Sequence, residues 1–246
     1  MNAITIAHHN KVGKDEFATY NYIPTDRTHF SHKGARVVSG LVLDELLKII
    51  PGLEAQVAED KDEWVHLFNG KDLSGWKSSP DNPAAFSVNE AGNLVAHGKQ
   101  AHLYYGENGA AALTDFELSV NVKCEGKSNS GIFFHTRFQK SGWPVHGYEA
   151  QVCNGYKDPR KTGSIYSFSD IRDKSPARDD RWFNYHLLVR GKNVKIWIDG
   201  ELVQDWTQPA DWPEKTKKLG RGTIAIQAHD PGSKVLYADM KLRELK

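Results

Sequence analysis

Between Asn129 and Gly155 the chain reads NSGIFFHTRFQKSGWPVHGYEAQVCNG, and its polar residues recur at a spacing of two: His135 and Arg137, then Glu149 and Gln151. Successive side chains of a strand point to opposite sides. Two strands flanking the loop rich in Gly, Trp and Pro would therefore set Ile132 and Phe134 against Phe133, His135 and Arg137. They would likewise set Tyr148, Ala150 and Val152 against Glu149, Gln151 and Cys153. If the strands are neighbours, a base, a cation, a carboxylate and an amide share one rigid face. Such a set can move a proton and bind hydroxyl groups. A solvated sheet face with an ordinary Arg–Glu pair shows the same alternation.

Short strands must position these groups. Trp64 to Phe68 precedes an Asn69-Gly70 turn, and Phe86 to Val88 and Leu94 to Ala96 flank Glu90-Ala91-Gly92-Asn93 as a hairpin. Phe116, Leu118, Val120 and Val122 alternate cleanly with Glu117, Ser119, Asn121 and Lys123. Ser164 to Phe168 reads as a further strand. Tyr185 to Val189, Val194 to Ile198 and Glu201 to Asp205 form a meander, and Thr223 to Ala228 and Val235 to Leu242 close the chain. Roughly ten or more short strands at this spacing, uninterrupted by a long helix, predict an all-β sandwich of two antiparallel sheets, one curved enough to offer a concave polar surface.

Residues 1–60 differ in style from residues 61–246, which places a domain boundary near residue 60. From Ser31 to Pro51, Val38, Leu41, Val42, Leu46 and Ile49 fall on one helical stripe, and Pro51-Gly52 ends the helix. Just before it, Asp26 stands three residues ahead of His29, the arrangement in which an Asp orients the imidazole that activates a serine. An Asp that caps the helix, with a His packing nearby, accounts for the pair equally well and is preferred for this chain. Leu53 to Glu63 is acidic and weakly apolar, and reads as a linker.

The formal net charge of +1, from 32 basic and 31 acidic residues, leaves no electrostatic footprint for nucleic acid or an anionic membrane. Seven Trp and nine Tyr suit sugar stacking and sheet packing alike. Cys124 and Cys153 are too few for a disulfide framework or a structural zinc site, and two buried free thiols are expected. No stretch approaches the roughly 20 apolar residues of a membrane span, and the N-terminus has no secretory pattern.

Two resemblances add to this. The segment from Met1 to about Gly52, with Asp26-Arg27-Thr28-His29-Phe30 and Lys33-Gly34-Ala35, resembles the C-terminal end of SGNH-type esterases of the rhamnogalacturonan acetylesterase group. That resemblance makes Asp26 and His29 a vestigial triad pair. The chain has no GDSL-like nucleophile block to complete it, so the segment reads as the remnant of a longer esterase. Farther on, LFNGKDLSGW from Leu67 to Trp76, NSGIF from Asn129, GYEAQ from Gly147, TGSIY from Thr162 and GTIAIQAH from Gly222 to His229 occur in this order. Over about Glu63 to Leu245 the chain thereby resembles the 3-keto-disaccharide hydrolase family, departing from its pattern between His97 and Asp115.

The second resemblance implies a concanavalin A-like jelly roll and a carbohydrate substrate whose C3 hydroxyl a separate sugar 3-dehydrogenase has oxidised. By family analogy it also implies a periplasmic or secreted setting. A ketone at C3 acidifies the C2 proton, so one base and one oxyanion partner could expel the aglycone from C1, in place of the two carboxylates of ordinary glycoside hydrolysis. The roles it implies are His135 or His229 as base, with Glu149 in the catalytic group, and Arg137, Gln151, Tyr166 and Gln227 as substrate-binding residues. A divalent ion such as calcium at His135, Glu149 or His229 stays open, but no metal-ligand spacing argues for one and no cofactor is expected. The alternative is a noncatalytic carbohydrate-binding module with a shallow groove lined by Trp76, Trp143 or Trp212. A two-carboxylate glycosidase using Glu149 and Asp230 is a third reading.

Overall fold

Alternation and turn chemistry decide the architecture of the β unit. In a computed structural model, residues 11–12, 32–50, 64–172 and 175–245 are described. The chain divides into two units, Met1–Glu63 and Trp64–Lys246. In the first, the expected helix forms as α1 (His32–Ile49). Val42, Leu46 and Ile49 on its apolar stripe are exposed. Asp26 and His29 lie outside the described residues.

The second unit contains β1 (Val65–His66), β2 (Trp76–Ser78), β3 (Phe86–Val88), β4 (Leu94–His97), β5 (Ala101–Tyr105), β6 (Phe116–Glu125), β7 (Asn129–Thr136), β8 (Tyr148–Cys153), β9 (Phe183–Arg190), β10 (Asn193–Ile198), β11 (Glu201–Thr207), β12 (Thr223–Ala228) and β13 (Lys234–Glu244). They form two antiparallel sheets. The larger runs β11-β10-β9-β6-β13-β4-β3, with β1 also paired to β13, and the smaller runs β2-β5-β12-β7-β8. Phe116, Leu118, Val120 and Val122 of β6 are fully buried, as their spacing predicts. They meet Ile132, Phe134, Ala150 and Ile226 of the smaller sheet in one core. Burial of each such large side chain contributes about 1.5–3 kcal/mol.

The outer face of the smaller sheet carries the polar row. Phe133 lies opposite Glu149 and Gly131 opposite Gln151. On the other side of β7, Ala225 of β12 pairs with Phe133, which brings Gln227 beside Gly131. Gln227 in turn pairs with His102 of β5.

Two local expectations need correction. Ser164 to Phe168 is a turn, joined to β8 by an Ala150–Ile165 bridge, because its backbone groups close on one another and on the edge of β8. The alternation of β7 fails at its end. His135 has φ +52, and the register against β12 shifts between Thr223 and Ala225, so this side chain leaves the outward-facing set. Cys124 and Cys153 are both free and buried. Among the described residues, no helix is long and apolar enough to cross a membrane.

Candidate active site

The outer face of the smaller sheet floors a cavity of about 590 Å³, and three loops wall it. The floor is Asn129, Phe133, Glu149, Gln151 and Gln227. The walls come from Trp143-Pro144-Val145 between β7 and β8, Tyr166-Ser167-Phe168 in the turn after β8, and Thr216-Lys217 before β12. His229, one residue past β12, completes the mouth. A volume of this size holds a sugar ring and part of a second group.

Glu149 sits half-buried at the centre of the floor. Gln227 Nε2 donates to its Oε1 at 3.0 Å. With the Gln151 amide oriented by its neighbours, that nitrogen donates to the same Oε1 at 3.2 Å and to the Ser130 carbonyl at 3.0 Å. Both amides therefore occupy one carboxyl oxygen and leave Oε2 to carry a proton. Burial pushes the Glu149 carboxyl up to about 8, against the hydrogen bond from Gln227 and the nearby Lys217. At neutral pH it is an acid that can donate. Gly131 is required beneath it, since a Cβ there would run into the Glu149 carboxyl.

Lys217 supplies the cation. Its Nζ donates to the Pro144 carbonyl at 2.7 Å, which leaves two further protons on the ammonium. Burial lowers its pKa, and Glu149 opposes that shift. Gln227 Oε1 and Asn129 Oδ1 are buried in the same floor and have no hydrogen-bond partner among the described residues, two acceptors suited to hydroxyl groups.

At the mouth, His229 Nδ1 bonds Asp230 Oδ2 at 2.7 Å. Asp230 also accepts from Gly232 N at 2.8 Å and Ser233 Oγ at 3.0 Å. Burial pushes its carboxyl up, but hydrogen bonds from His229, Gly232, Ser233 and Tyr156 together hold it below the ordinary value. The ionised Asp230 fixes the proton of His229 on Nδ1. Nε2 is then the basic nitrogen, and it has no protein hydrogen bond among the described residues. Trp143 stacks near this imidazole at 5.3 Å and 38°.

The structure thus brings Glu149, Gln151, Tyr166, Gln227 and His229 around one cavity. Tyr166 donates to Asp158 Oδ2 at 3.2 Å and lies under the Arg160 guanidinium at 4.5 Å. Two candidates lie elsewhere. Gly220 N donates to His135 Nδ1 at 3.1 Å, so the ring proton is on Nε2, which donates to the Thr114 carbonyl at 2.7 Å. His135 is buried against Phe116 and Phe134, and burial lowers its pKa. With both nitrogens engaged, it is a structural pin, not a base. Arg137 is exposed past the end of β7 and does not line the cavity. Lys217 is the cation that lines the cavity instead, and nothing in the sequence distinguishes it from Lys215 and Lys218.

Of Trp76, Trp143 and Trp212, only Trp143 lines the cavity; Trp76 donates to the Leu67 carbonyl and Trp212 to that of Lys217. Asp230 faces its hydrogen-bond donors, so it does not form a carboxylate pair with Glu149 across the cavity. Among the described residues, no group of three or more His, Cys, Asp or Glu is placed to hold a metal ion.

The profile of the 3-keto-alpha-glucoside-1,2-lyase-like domain matches residues 63–243. The chain belongs to this family. Among solved structures, a Parabacteroides distasonis protein provisionally assigned as a glycosyl hydrolase matches with a TM-score of 0.65 and 22% identity, covering 77% of this chain and 97% of that one. A second P. distasonis protein with the same assignment matches with a TM-score of 0.57 and 20% identity, over 74% and 100% of the two chains. The carbohydrate-binding module CBM66 from Bacillus subtilis matches with a TM-score of 0.50 and 14% identity, over 69% and 96%. These similarities show the jelly-roll fold. No curated protein matches the chain by sequence.

Proposed function

We propose that the cavity cleaves 3-keto-glycosides by elimination followed by hydration. The observation that carries this reading is the convergence of an oriented histidine, a protonated carboxyl and an ammonium on one cavity: His229, Glu149 and Lys217. His229 Nε2 removes the C2 proton, and the electron pair moves toward the C3 carbonyl to form an enediolate. The Lys217 ammonium neutralises the charge growing on that oxygen. The enediolate re-forms the ketone as the C1–O bond breaks, and Glu149 Oε2–H protonates the departing aglycone oxygen. Water then adds across C1=C2: the Glu149 carboxylate takes one proton from it as its hydroxyl joins C1, and His229 returns its proton to C2, which restores both groups. Gln151, Gln227 and Asn129 hold ring hydroxyls, and Tyr166 closes the far side.

The substrate must reach this site already oxidised at C3, which calls for a sugar 3-dehydrogenase upstream. No protein-bound cofactor is needed for these steps. Incubation with a 3-keto disaccharide and its parent sugar, side by side, tests the reading. Release from the keto form alone, lost in His229→Ala and Glu149→Ala, is the expected result. Equal inertness toward both would favour a noncatalytic carbohydrate-binding module, for which the exposed Trp143 at the cavity mouth is the favouring observation.

A further inference from the structure

We propose that the wall formed by Trp143, Pro144 and Val145 is the leaving-group subsite and that it takes a flat apolar aglycone, an aryl group in particular. The inference rests on the reading above for which end of the substrate leaves, and it concerns what that end is made of. Trp143 is 47% exposed and Val145 53%, yet both line the cavity. Large apolar side chains left open in this way have surface to cover with a ligand.

The wall is held in place before anything binds. The Gln139 side chain donates to the Ser141 carbonyl at 2.7 Å and to the Trp143 carbonyl at 2.8 Å, and it accepts from Val145 N at 3.0 Å. One amide thus closes the loop tip on itself. Lys217 then ties Pro144 to the cavity at 2.7 Å. A side chain whose backbone is fixed at this many points loses little freedom on stacking, which favours affinity.

The distribution of polarity selects the occupant. The hydroxyl-binding side chains lie on the floor, in Asn129, Gln151 and Gln227, where the reacting ring would sit. The segment Trp143-Pro144-Val145 offers a side-chain donor only at the indole nitrogen. A second sugar carries hydroxyls around its whole edge, each needing a partner when desolvated. An aryl group needs none, and it stacks on indole in offset or edge-to-face geometry.

Isothermal titration of the full chain with phenyl glucoside, methyl glucoside and a glucosyl disaccharide of the same anomeric configuration tests this. The expected result is phenyl glucoside bound about tenfold more tightly than methyl glucoside or the disaccharide. In Trp143→Ala the preference for phenyl over methyl glucoside should vanish, and Trp143→Phe should keep most of it. Undetectable phenyl glucoside binding, equal affinities, a tighter disaccharide, or a phenyl preference that survives in Trp143→Ala would each overturn the proposal. Because none of these sugars is oxidised, the readout needs no turnover. Inertness of a 3-keto phenyl glucoside alongside intact phenyl preference would refute the cleavage reading and leave the apolar subsite standing.

Discussion

His135 and His229 differ in what remains free on their rings. Every nitrogen of His135 is committed to the backbone, at Gly220 and Thr114, whereas His229 keeps Nε2. Truncating His135 to Ala should therefore cost about 2–4 kcal/mol in thermal or urea denaturation. At a permissive temperature, its kcat/KM on a 3-keto substrate should remain within about threefold of wild type. His229→Ala should do the reverse, losing about 10²–10⁴ in kcat with little change in melting. The sequence offers both as candidate bases and does not choose between them, because the two histidines sit in similar stretches and only the tertiary partners separate them. The pH behaviour of Glu149 is equally tertiary. Between its ordinary value of 4.5 and its folded value of about 8, the native state holds a proton that the unfolded chain has lost. The stability that this proton contributes must fall as pH rises through that window and change little outside it. Glu149→Gln keeps the acceptor for Gln227 and removes the titration. It should match wild type near pH 4 and exceed it at pH 8 by up to about 4 kcal/mol, read from denaturation midpoints. The loss of wild-type cleavage as pH rises past 8 should disappear in the same variant, leaving a low, flat alkaline rate.

At the level of elements, β6 was readable because one of its faces is core and the other is not; its burial alternates along the whole strand. In β7 every residue is buried, and alternation there assigned faces correctly from Ile132 to Phe134 but failed at His135, where a positive φ turns the chain. No periodicity announces a left-handed residue. β5 was missed for a related reason. Ala101-His102-Leu103-Tyr104 is buried on both sides, so it shows neither a clean alternation nor a purely apolar run. That strand also brings His102 to the polar row, where burial lowers its pKa to about 4 and keeps it neutral. The NSGIF stretch did contain a readable sign in Gly131, whose missing side chain makes room for the Glu149 carboxyl. Gly131→Ala should displace that carboxyl from Gln151 and Gln227. Because the obstructed group is the end of a flexible side chain, melting should drop by only a few °C, about 1 kcal/mol, while cleavage falls at least about tenfold in a steady-state assay. Equal losses of stability and activity would mean that β7 itself had moved.

On the scale of the whole molecule, composition and turn spacing were enough for a two-sheet sandwich, because that architecture is set by many weak local preferences that agree. The cavity was less legible, since its walls come from loops before and after β8 and before β12 whose paths no pattern encodes. The division at Glu63 and Trp64 leads to a direct test. A fragment of residues 64–246 should unfold cooperatively in a circular dichroism melt and keep its cleavage rate within about twofold, since the catalytic and binding groups proposed above all belong to that unit. The turn after β8 carries one more implication. β8 is an edge strand of the smaller sheet, yet its outer backbone is engaged: Gln151 N donates to Ser164 O at 2.9 Å, Gly163 N to Gln151 O at 3.0 Å and Tyr166 N to Glu149 O at 3.0 Å. The segment that brings Tyr166 to the cavity therefore also guards the sheet against recruitment by a second chain. A lesion that frees it would expose a strand template and invite intermolecular pairing and precipitation, so damage at this rim would surface as insolubility before it could be scored as lost turnover.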